Sequence, residues 1–108
     1  MTSLTLFLWA SLILLALGLV GLITRRTIVG MLISVELLLN GAGLSIVAAA
    51  KTSSTNGLVD IHGQLAALFV MGLAAAEATI VLAMVLVAQR RFGTVATEAI
   101  TTIKGSKA

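Results

Sequence analysis

Three apolar runs, residues 4–23, 27–50 and 64–88, decide what this chain can become. At ~1.5 Å of rise per residue they would make helices of ~30, ~36 and ~38 Å, against a hydrocarbon core of ~30 Å in a bilayer. The chain is 59% hydrophobic, well above the ~45–50% of an ordinary soluble domain, so lipid has to be the solvent for most of it. Its 108 residues allow one small module. The expected fold class is all-α: an integral membrane bundle of three transmembrane helices over residues 4–23, 27–50 and 64–88.

The connections order those helices. Thr24, Arg25, Arg26 and Thr27 leave so little chain between the first two that they must form an antiparallel hairpin. Residues 51–57, KTSSTNG, are turn and loop types without hydrophobic period, and Asp60 is an expected N-cap for the third helix. Beyond Arg90 and Arg91 the polar residues 92–108, with Glu98, Lys104 and Lys107, read as an exposed tail. The chain thus divides into a three-helix module, residues 1–91, and a cytoplasmic extension, residues 92–108. Residues 1–3 carry no basic side chain, and the first run exceeds the 7–15 residues of a signal-peptide core, so it reads as a retained helix. Trp9 suits the headgroup boundary, and Gly18 and Gly21 leave room for a neighbouring helix. The arginine pairs Arg25/Arg26 and Arg90/Arg91 fall on one side of a three-span chain. By the positive-inside rule that side is cytoplasmic, which puts the amino terminus outside and the carboxyl terminus inside.

Composition excludes several functions. The net charge of +3 comes from basic residues gathered at helix ends, a topological signal with no nucleic-acid groove. With no cysteine there is no disulfide, thiolate metal site or iron–sulfur ligation in this chain. One histidine, His62, cannot give a haem two axial ligands, and it reads as an ordinary interfacial residue. No proline kinks a helix. The methionines read as apolar filler, and the glycines make no phosphate-binding pattern.

Two acids interrupt the apolar runs. Glu36 lies ten residues from Arg26, so ~15 Å deep; Glu77 lies thirteen residues from both Gln64 and Arg90, ~20 Å from either end. A charged residue at mid-bilayer costs on the order of 2.5–3.5 kcal/mol on insertion scales, which makes both acids candidates for function. Desolvation disfavours the ionised form, so such carboxyls suit proton exchange, and two of them on adjacent helices suit a relay with coupled occupancies. Asn40, at i+4 from Glu36, shares its face and is a candidate support; that face continues through Gly43 and Val29 and should look at protein. Gly72, Ala74, Ala75, Ala76, Ala78 and Ala83 surround Glu77. The pairs Gly72/Ala76 and Ala74/Ala78 have the spacing that lets helix backbones approach. Three helices cannot cover all these small-residue faces, so partner subunits are expected. The bland alternative is that both acids stay protonated and only hydrogen-bond a neighbouring helix.

The stretches GLITRR, MLISVELLLNG and GQLAALFVMGLAAAEATIVLAMVL followed by RR resemble the K subunit family (NuoK type) of the proton-pumping NADH:quinone oxidoreductase, complex I. The resemblance covers nearly the whole chain. It implies that Glu36 and Glu77 are proton-path residues and that Arg25 and Arg26 are the family's first-loop arginines. It also implies a multi-pass subunit of a bacterial-type inner membrane, or of a thylakoid or organellar one. Such a subunit sits between an antiporter-like subunit and those near the quinone site. The resemblance implies no cofactor in this chain; FMN, iron–sulfur clusters and quinone belong to partner subunits. The nearest rival is the related small subunit of a multisubunit cation/proton antiporter. A rotary-ATPase ring subunit fits less well, because that class is usually a two-helix hairpin with one acid. A purely structural assembly subunit is the remaining alternative.

Overall fold

The computed structural model describes residues 2–53 and 60–93. They form α1, Ser3–Thr24; α2, Ile28–Thr52; and α3, Ile61–Phe92. All three are long and apolar enough to cross a membrane. Most of the second connection and of the tail expected at residues 92–108 lie outside the described residues.

Each helix begins on a side chain that satisfies an orphan backbone donor. Thr2 accepts from Thr5 N–H, and Thr27 accepts from Gly30 N–H at 3.1 Å. Asp60 Oδ1 accepts from His62 N–H at 3.0 Å, which is the cap expected from the sequence. That cap sets in early, so α3 starts at Ile61 and runs 32 residues, ~48 Å, well past the apolar run itself. Its far end is closed by Gly93 at φ 67°, a left-handed conformation suited to glycine, whose N–H reaches Gln89 O at 3.0 Å.

The arrangement is a layer with α2 in the middle. α2 packs along both neighbours, whereas α1 and α3 barely meet. The α1–α2 seam is made of small residues. Ser11 and Gly18 on α1 are buried, as are Ser34, Gly41 and Ala48 on α2, each seven residues from the next. A seven-residue repeat keeps one stripe facing the partner over successive pairs of turns. A Cβ built at Gly18 would stand 2.7 Å from Leu38 Cγ and 2.8 Å from Ser34 O; one built at Gly41 would stand 3.0 Å from Ser11 O. The two backbones are therefore in near contact, and Ser11 Oγ donates across the seam to Gly41 O at 2.7 Å. At the end of the seam away from the Arg25/Arg26 connection, Lys51 Nζ sits 4.8 Å from the centroid of the Phe7 ring, a cation–π contact between the same two helices.

No buried apolar residue among those described is larger than alanine: the set is Ala48, Ala50, Ala67, Ala74 and Ala88. The large side chains point outward, with Phe69 at 73% and Ile23 at 76% exposure. This inverts the soluble rule. In lipid, leucine gains nothing by leaving the surface, so helices associate through close packing and interhelical hydrogen bonds. Ser11→Ala should accordingly lower stability by ~0.6 kcal/mol, and by no more than ~1.7. The measurement is the shift in the SDS unfolding curve of the full-length chain.

Candidate functional site

The seam between α2 and α3 has a register that two contacts define. A Cβ at Gly63 would overlap the Cβ of Ala50, and one at Gly43 would stand 4.0 Å from Val70 Cγ1. From the first pair to the second, α2 goes back seven residues and α3 advances seven. The same step again brings Glu36 opposite Glu77. Each step is two turns, ~10.5 Å, so the two acids occupy the next rung of an antiparallel ladder and lie at one depth.

Their surroundings differ. Glu77 is half-buried and lines a cavity of about 270 Å³ between α2 and α3. Ile28, Met31, Leu32, Val35, Ile80 and Val81 form the rest of its described wall, so Glu77 is the one polar residue in an apolar lining. Glu36, one position on from Val35, points ~100° further around α2 and does not line that cavity. It too is half-buried, and its Oε1 is fully enclosed with no hydrogen-bond donor among the described residues. A buried carboxyl oxygen without a donor is costly, so this atom calls for a water or a donor from another chain.

Asn40 lies one turn beyond Glu36 on the same side. It is exposed, yet it lines a second cavity of about 230 Å³ together with Gly43 and Val47 of α2 and Val70, Met71 and Ala74 of α3. The face expected to look at protein is thus only half covered within the chain: Gly43 meets α3, while Asn40 and Val29 remain open. Arg25 and Arg26 are exposed in the first connection, some ten residues or ~15 Å below Glu36, and are not brought to either acid. On α3, Ala74 is buried against α2, whereas Gly72 has no atom within 4 Å of its missing Cβ, and Ala76 is exposed. The Gly72/Ala76 pair therefore makes no seam within this chain. Among the described residues no three His, Cys, Asp or Glu side chains converge as a metal-holding group.

Sequence reasoning missed Met31 and Val35 as walls of the Glu77 cavity and Ser11 as the cross-seam donor. The signal for Ser11 was the seven-residue spacing of small residues, which is visible once α1 and α2 are aligned as a hairpin.

Residues 6–105 match the family model of NADH-ubiquinone/plastoquinone oxidoreductase chain 4L. The chain belongs to this family. Among curated chain 4L relatives, it is 43% identical over 105 residues to NADH-quinone oxidoreductase subunit K 1 of Syntrophobacter fumaroxidans, covering 97% of this chain and all of that one. It is 38% identical over 104 residues to the subunit K of Akkermansia muciniphila, with 96% and 99% covered. With the subunit K of Nitrosospira multiformis it shares 37% over 93 residues, 86% of each chain. The family-model match reaches into all three helices.

Proposed function

We infer that this chain is the chain 4L membrane subunit of a proton-pumping NADH:quinone oxidoreductase, a multi-pass inner-membrane protein in which Glu36 and Glu77 are proton stations. The family and the three spanning helices support the first part. Two things support the relay: the α2–α3 register, carried one step beyond its two contacts, sets Glu36 level with Glu77, and an enclosed Glu36 oxygen has no donor among the described residues. A carboxyl can accept and release a proton, so one on each of two packed helices gives a proton two stopping points across the α2–α3 seam. Asn40 supports this by offering an amide beside Glu36 that can hold water in the second cavity.

The chain itself carries no redox step in this reading. FMN, iron–sulfur clusters and quinone belong to partner subunits, and quinone reduction reaches the glutamates as changes in hydration and contact. An antiporter-like subunit and a subunit near the quinone site cover the open Asn40 face and the Gly72/Ala76 face. Tagging the chain and purifying it in mild detergent should bring down flavin- and iron–sulfur-bearing subunits in equal amount. Recovery with antiporter subunits alone would assign it to the cation/proton antiporters instead.

Orientation follows from the arginines. Arg25, Arg26, Arg90 and Arg91 lie on the cytoplasmic side in this reading, with Thr2 outside. The chain has no cysteine, so Thr2→Cys and Thr27→Cys make clean reporters. A membrane-impermeant maleimide added to intact cells should label the first and spare the second.

A further inference from the structure

The last three turns of α3 carry a feature that the relay does not use. Ile80, Met84, Val87 and Arg91 recur at i, i+4, i+7 and i+11, so they make one row, and with Ala83 and Phe92 they line a groove of about 510 Å³. The row is open: Ile80, Met84 and Val87 are 61%, 59% and 56% exposed. From Ile80 to Arg91 it runs ~16 Å along the helix axis, close to the ~15 Å of hydrocarbon in one leaflet. Its floor is apolar up to the end where Arg91 stands beside Arg90, the arginine pair that ends the apolar run. No acid among the described residues falls within thirteen positions of Arg91 on this helix.

We propose that this groove seats one acyl chain of an anionic phospholipid, with the phosphate held by Arg91. The length of the row fits a single leaflet. Alanine at position 83 leaves a trough between Ile80, Met84 and Val87, which a flexible methylene chain fills better than a rigid helix. The guanidinium offers a planar fork for two phosphate oxygens. Arg90 adds a second positive charge, which favours a headgroup of net negative charge over a zwitterionic one. The groove adjoins the Glu77 cavity, with Ile80 lining both, but neither Glu36 nor Glu77 lines it, and it needs only that α3 span the bilayer.

The test places a photoactivatable benzoylphenylalanine at Met84, and separately at Val87, in the assembled complex in native membranes. After illumination the adducts are read by mass spectrometry. Phosphatidylglycerol or another anionic phospholipid should be enriched at least threefold over its share of membrane lipid at both positions. Arg91→Gln should abolish that enrichment, and the same probe at exposed Phe69 should show none. Three results would overturn the proposal: phospholipid adducts in bulk proportion, crosslinks to a partner polypeptide, or crosslinks to residues 94–108 of this chain.

Discussion

Glu36→Gln should leave the complex assembled and cut proton pumping coupled to quinone reduction at least tenfold. Glutamine keeps the shape of the side chain but cannot take up and release a proton at that atom. The site has no spare group, since the enclosed Oε1 meets no other donor among the described residues. Inverted membrane vesicles give the readout: quenching of a pH-sensitive dye driven by NADH, alongside the rate of quinone reduction and the amount of complex. Glu77→Gln should give a similar or smaller loss, because its cavity wall is apolar and supplies no substitute. Pumping at the native level in both variants would leave the glutamates as structural acids and end the relay reading.

Gly18→Leu should do more harm still, removing the subunit from the complex altogether. Even one carbon at Gly18 would meet Ser34 O at 2.8 Å and the Leu38 backbone N at 2.9 Å, and these are main-chain atoms that move only if the helix moves. Overpacking of this kind costs ~1–3 kcal/mol or more where the neighbours cannot give. In lipid no compensating burial of the new side chain is available. The expected result on blotting purified complex is loss of this chain to below a tenth of the native amount. Gly72→Leu is the contrast: it meets nothing within this chain, so the chain itself should fold and insert normally. Normal incorporation of Gly18→Leu would show that the α1–α2 seam is not a backbone contact.

Much of this architecture was legible in the amino-acid sequence, for a physical reason. Helix number follows from run length against bilayer thickness, and the cap at Asp60 and the close approach at Gly18 are local chemistry. Two things were not legible. The extent of α3 exceeds its apolar run because the Asp60 cap and the helix-forming Gln89–Phe92 segment extend a helix that hydropathy alone would end at residue 88. The shared depth of Glu36 and Glu77 depends on how α2 and α3 slide past each other. Depths counted from each helix's own ends, ~15 Å and ~20 Å, cannot fix that; the Ala50–Gly63 and Gly43–Val70 contacts do. Small-xxx-small spacing likewise announced close packing without saying where: it marked Gly72/Ala76, which makes no seam within this chain, as readily as Ala74/Ala78, of which Ala74 is buried.

A chain whose enclosed apolar side chains, among the described residues, are all alanines responds to mutation in the opposite sense from a water-soluble domain. Trimming a leucine or isoleucine from its periphery leaves no void, because acyl chains flow into the space. Adding a single methylene along the inner stripe has nowhere to go. Over evolutionary time its bulky positions are therefore free to drift among aliphatic types, while the smallest residues, which a hydropathy plot scarcely registers, carry the record of how its helices were first fitted together.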